Sequence, residues 1–221
     1  MRFTEIDLKN DIVLSDYYNK RISVSHVSNK PLRFQIPRMY MPFGISGFVP
    51  EIGPTKWNID FSMRGWNEDE NYIKRFYDFV KNLEEYFINH VDSNKLEIFG
   101  NENVVPKKFF NSNIKEDGDR DPKFRIKVDT DHTNTIKPQI FDMNEKNITN
   151  TAEKGLYAKN SGVSLVEITS IYFLNKKFGI TWRLCQMKVF EPQSLHGFQF
   201  NINEDEDEDD EIDVKGFQFQ V

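Results

Sequence analysis

One stretch of the chain, NEDENYIKRFYDFVKNLEEYFINH (67–90), repeats its apolar residues at the helical period, and it is the only long stretch that does. Tyr72, Phe76, Phe79, Leu83 and Tyr86, with Ile73, Val80 and Phe87, make a wide apolar stripe. Asn67 is placed to cap this helix, and Glu68, Asp69 and Glu70 suit the positive end of its dipole. With a single long helix available, the rest of the core has to come from strands.

The flanking text supplies them. ISVSHV (22–27) and KWNIDFSM (56–63) alternate with period two, the second placing Trp57, Ile59, Phe61 and Met63 on one face. Between them, 31–54 holds Pro31, Pro37, Pro42, Pro50 and Pro54 with Gly44, Gly47 and Gly53, so a strand there is an edge strand, bulged or bent. Past the helix come LEIF (96–99), FRIKV (124–128) and the strongest pair, SLVEITSIYFL (164–174) and GITWRLCQMKVF (179–190), joined as a hairpin by NKKFG. Long loops are expected near 100–122 and 129–161. The expected class is β-rich α+β: a small, strongly curved antiparallel sheet closes into a barrel to remove its edges, and the helix covers one open end. The OB-fold is such an object, with its helix between the third and fourth strands. A β-sandwich with a packed helix is the alternative.

Charge divides the chain in two. The net charge is −6. Residues 201–221 carry nine acids, Glu204 to Glu211 and Asp213, against Lys215, a net of −8 that leaves +2 for residues 1–200. A like-charge run cannot bury itself, so a single domain is expected over 1–196 and a disordered acidic tail with an aromatic tip over 197–221. The same four residues, GFQF, bracket the run at Gly197–Phe200 and Gly216–Phe219. One cysteine, Cys185, excludes an internal disulfide, and the early charges exclude a secretory signal, so the reading is a soluble intracellular protein.

Enzymatic signatures are missing from the sequence. There is no Walker A loop, GxSxG elbow or HExxH, and His26, His90, His132 and His196 are far apart. Asp117, Asp119 and Asp121 resemble an EF-hand start, but Pro122 stands where its glycine is needed and Val128 where the bidentate acid is needed. The expectation is no catalytic residue, metal or cofactor. Basic and aromatic residues interleave far more persuasively, at Arg33, Phe34, Arg38 and Tyr40, at Lys56, Trp57, Arg64 and Trp66, and at Lys107, Lys108, Phe109 and Phe110. Lys123, Arg125 and Lys127 share one strand face, and Trp182 and Arg183 follow. Single-stranded nucleic acid wants this combination, because cations follow the phosphates while rings stack on bases. Trp57, Phe61 and Phe124 share faces with aliphatic residues and read as core instead.

The run MYMPFGISGF, then WNIDFSMRG before an aromatic helix, and the closing GITWRLCQMKVF resemble the single-stranded DNA-binding proteins of nucleocytoplasmic large DNA viruses, the African swine fever virus type, over about 20–190. The resemblance implies an OB-type core that coats single strands in viral genome replication, repair or recombination, in an infected host cell, at a cytoplasmic viral factory or in the nucleus. The ending is also similar to the acidic, aromatic-tipped tails of bacterial and phage single-stranded DNA-binding proteins, which compete with DNA and dock on replication partners. Under that resemblance Asp213, Phe217, Phe219 and Val221 are the partner-binding tail residues. Arg38, Arg64, Lys107, Lys108, Arg125, Lys127 and Arg183 are the expected phosphate contacts, and Tyr40, Trp66, Phe109 and Trp182 the expected stacking rings. The implied partners are single-stranded DNA, with RNA also compatible, viral replication proteins and further copies of the chain, with no membrane among them. The competing reading is an assembly module whose tail binds basic proteins.

Overall fold

The computed structural model describes residues 1–192; the acidic run, both GFQF repeats and the residues Asp213, Phe217, Phe219 and Val221 lie outside the described residues. Twelve strands, β1 (Ile12–Leu14), β2 (Arg21–His26), β3 (Leu32–Gln35), β4 (Met39–Met41), β5 (Ile45–Phe48), β6 (Lys56–Ser62), β7 (Phe110–Asn111), β8 (Ile114–Asp117), β9 (Arg120–Val128), β10 (Gln139–Phe141), β11 (Asn160–Leu174) and β12 (Lys177–Phe190), join in one sheet. Helix α1 (Tyr72–Ser93) and the single-turn α2 (Lys95–Phe99) interrupt them.

Five strands close on themselves in the order β4-β6-β9-β12-β11, with β11 returning to β4. Every pair in the ring is antiparallel except β9 with β12, which run parallel where Lys127 meets Arg183. This is the OB-type barrel that the alternation called for, and it disposes of the sandwich alternative, because a sandwich leaves two open sheets. One detail differs. The helix lies between the second and third barrel strands, not the third and fourth. Because β6 and β9 are antiparallel neighbours, with Ser62 opposite Lys123, the chain leaves and returns at the same end of the barrel, so a helix inserted there still covers that end.

The parity of each strand sets the core. On β9, Phe124, Ile126 and Val128 are buried while Arg125 and Lys127 face out; on β12, Ile180, Trp182 and Leu184 are buried while Arg183 faces out. The helix stripe joins this core through Phe76, 5.2 Å from Phe124, and Phe79, 5.7 Å from Phe34, both edge-on. Its cap is Asn71, whose side chain accepts from the Ile73 amide at 2.9 Å, and not Asn67, because residues 64–70 are spent in turns before the helix begins. LEIF is not a strand but most of α2, which Gly100 ends in the left-handed region. Glu84, buried on α1, accepts from Ser112 Oγ at 2.6 Å and the Asn113 amide at 3.1 Å, which ties the helix to the segment before β8. No described helix is long and apolar enough to cross a membrane.

Candidate nucleic-acid interface

Three adjacent barrel strands bring Tyr40, Ser62 and Lys123 into one outward row, since Tyr40 pairs with Ser62 on β4 and β6 and Ser62 with Lys123 on β9. Two strand spacings separate the outer members, about 10 Å. Tyr40 is 45% exposed between the buried Met39 and Met41. Beside the row lies an open cleft of about 320 Å³ lined by Arg38, Tyr40, Ser62, Arg64 and Glu68. Thus the geometry assembles Arg38, Tyr40 and Arg64 at one place, although the last is separated from the first two by more than twenty positions in sequence.

Phe43 completes this side. Its ring is 55% exposed, and Lys123 Nζ lies over it, 5.2 Å from the centroid. The turn that presents it is built on Gly44, at φ +59°, where a Cβ would come within 2.2 Å of the Leu156 carbonyl oxygen and 2.5 Å of the Ala158 nitrogen. The Ile45 amide donates to Leu156 O at 2.8 Å and the Lys159 amide to Met41 O at 2.8 Å, so residues 155–159 brace the β4–β5 turn from behind. Phe43 was readable in principle: a lone ring between Pro42 and Gly44 has no strand interior to occupy. Among the described residues no carboxylate reaches ion-pair distance of Arg38, Arg64 or Lys123. Arg38 instead lies over the Phe190 ring, 4.2 Å from its centroid.

The outward face of β9 continues from Lys123 through Arg125 to Lys127, about 13 Å along the strand. Here the cations are already matched. Arg125 donates to both oxygens of the buried Asp60, at 2.7 and 2.8 Å. Asp129 takes Lys127 at 2.7 Å and also the guanidinium of Arg183. Burial pushes the Asp129 carboxyl upward, but Lys127 and Arg183 outweigh it and hold the group below the usual carboxylate value. Beyond this pair opens a second cleft of about 570 Å³, where Lys20, Arg21 and Lys137 join Lys127 and Arg183 around the one acid. Sequence reasoning missed Lys20 in a hairpin turn, Arg21 at the first position of β2 and Lys137 in a loop, and missed Asp60 and Asp129 as counter-ions.

The remaining candidates fall elsewhere. Trp182 is a correction: it is 1% exposed, edge-on to Phe124 at 5.0 Å and Phe34 at 5.7 Å, and presents no face to solvent. Its strand parity explains this, since Arg183 takes the outward position and its neighbour must point in. Trp66 is half-buried, 4.9 Å from Tyr77 at the start of the helix, which leaves less ring to offer than the expectation supposed. Lys107, Lys108 and Phe109 are exposed on a 3-10 turn (Pro106–Phe109) and line neither cleft. No group of three or more His, Cys, Asp or Glu among the described residues is placed to hold a metal ion.

No protein-family model and no curated protein matches this chain. Among solved structures, it is similar to gp2.5, a single-stranded DNA-binding protein of bacteriophage T7, at 14% identity and TM-score 0.46, over 86% of this chain and 100% of that one. It is also similar to the single-stranded DNA-binding protein of bacteriophage Enc34 in complex with single-stranded DNA, at 13% identity and TM-score 0.42, over 84% of this chain and 98% of that one. A C-terminally truncated form of the Enc34 protein gives 14% and 0.46, over 83% and 96%.

Proposed function

We propose that this chain is a sequence-tolerant, non-enzymatic single-stranded DNA-binding protein of a large DNA virus, acting in genome replication, repair or recombination. The observation that carries the reading is the row Tyr40–Ser62–Lys123 with Phe43, Arg38 and Arg64 around it: two exposed rings beside three cations without carboxylate partners among the described residues. Stacking on an exposed ring does not discriminate among bases, and cations spaced along a strand follow a phosphate backbone without reading sequence. Tyr40 and Phe43 are the stacking platforms, and Arg38, Arg64 and Lys123 the primary phosphate contacts. Lys127 and Arg183 extend the path once phosphates displace Asp129.

The −8 tail fits the same reading. Tethered to a body of +2, it competes for the cations when no DNA is bound, at an effective concentration of about millimolar, and its aromatic tip, Phe217 and Phe219, recruits replication partners. The test is an oligo-dT titration of the unaltered chain, an Arg38→Ala/Arg64→Ala/Lys123→Ala chain and a chain ending at residue 200. The triple variant should lose most affinity and the shortened chain should gain it. Unchanged affinity in the triple variant would refute the placement of the site. If truncation leaves DNA affinity unchanged and abolishes capture of a basic protein partner, the assembly-module reading replaces the tail's role.

A further inference from the structure

The outer face of the sheet carries a trough that meets the proposed nucleic-acid site only at Phe190, the ring under Arg38. It has a volume of about 560 Å³, and its floor runs across β10, β12 and β11. Phe141, Lys188 and Val163 form one cross-strand row, and Gln186 and Leu165 lie in the next, with Phe190 at the end. Val163, Leu165, Phe141 and Phe190 are all partly open to solvent on a face that outward parity would ordinarily make polar. Two polar residues of the middle strand divide these apolar ones: Lys188 is held by Glu145 at 3.5 Å, and Gln186 donates to Gln139 at 3.3 Å.

We propose that this trough is the seat of the chain's own Gly197–Phe200 segment, docked in cis. Three observations point to that occupant. The last strand runs into the trough, with Phe190 as part of its wall, so only six residues separate it from the segment. Those six residues reach about 20 Å, whereas a return from Phe190 to Gln186 needs about 14 Å along the strand. The spacing also fits. In an extended GFQF the two rings fall on the same side, about 7 Å apart, which is the repeat of Val163 and Leu165 on β11, while Gln199 turns toward water. Val163 and Leu165 on β11 offer the rings apolar contact, and Gln186 beside them on the middle strand can meet the backbone of the segment. The docking goes beyond DNA binding, and the two sites touch only where Arg38 lies over Phe190.

The test uses the full chain without DNA. A fluorescent peptide of residues 195–203 is titrated into the unaltered chain and into a Phe198→Ala/Phe200→Ala chain. A tethered segment at about 1 mM effective concentration that binds with a Kd of about 100 µM blocks its own seat, so the variant should bind the peptide about tenfold more tightly. Adding Leu165→Lys to that variant should abolish binding; if the variant does not fold, Gln186→Lys at the exposed position opposite Leu165 serves instead and should weaken it. Hydrogen exchange of the amides of 186–190 should speed up in the Phe198→Ala/Phe200→Ala chain. Equal peptide affinity for the two chains, or tighter binding of a peptide of residues 214–221 than of 195–203, would overturn the assignment.

Discussion

Replacing Asp129 with asparagine keeps the shape of the side chain and removes the one charge that holds both Lys127 and Arg183. If the strand crosses the outer face of β9, phosphates and Asp129 compete for the same two cations, and the substitution settles that competition in favour of DNA. Two freed cations near phosphates in a water-like medium gain about 1 kcal/mol each, or some ten- to thirtyfold in affinity at low salt. Each phosphate neutralised on a single strand adds about −0.7 to the slope of log K against log salt, so the slope should steepen by up to about 1.4. The fold should tolerate the change. Both cations are about half exposed, so the lost pairs cost about 1 kcal/mol or less. The native carboxylate is held below its ordinary pKa, so its contribution is present above the unfolded value and is lost as pH falls through the folded one; the asparagine chain should lack that part of the acid dependence. The assay is fluorescence titration of labelled oligo-dT at several salt concentrations. An unchanged slope and affinity would mean that Lys127 and Arg183 do not touch the strand, and lower affinity would mean that Asp129 positions them for it.

Tyr40→Ala and Phe43→Ala should each weaken oligo-dT binding by about 1–3 kcal/mol, since each removes a stacking surface, and thermal melting should show little change at these exposed positions. Trp182→Ala should lower stability by about 3–5 kcal/mol through the cavity it leaves. Trp182→Phe should cost less, because it also removes an indole N–H that has no partner among the described residues, and its DNA affinity should match the unaltered chain. Burial pushes the Glu84 carboxyl upward despite its bonds from Ser112 and Asn113, so its share of stability is full at low pH and declines as pH rises through the folded value. Glu84→Gln should therefore raise the melting temperature near pH 8 and leave it nearly unchanged near pH 4.

The barrel was readable because alternation is a local property that survives into the folded state. FRIKV and GITWRLCQMKVF sort their own residues into buried and exposed sets; β9 obeys that sorting, and β12 obeys it from Ile180 to Leu184 before a bulge moves the buried set to Met187 and Val189. Trp182 shows the cost of setting parity aside: its ring type suggested stacking, whereas its place between Thr181 and Arg183 already required the interior. The true helix cap was hidden because Asn67 and Asn71 are chemically equivalent, and only the turns over 64–70 choose between them. Arg38, Tyr40 and Arg64 were recognisable singly, but their meeting depends on β4 lying beside β6, a long-range pairing that leaves no mark in either segment. The counter-ions were hidden for the same reason. Asp60 and Arg125 are paired across β6 and β9, 65 positions apart.

An OB-type barrel that sets exposed rings beside cations should bind single strands without regard to sequence. Titration of the unaltered chain with labelled oligo-dT, a mixed-sequence single strand and a duplex of equal length, at low and moderate salt, tests it most directly. The expected result is similar affinity for the two single strands, weakening with salt, and much poorer binding of the duplex. Absence of single-strand binding at low salt, or equal affinity for the duplex, would contradict it.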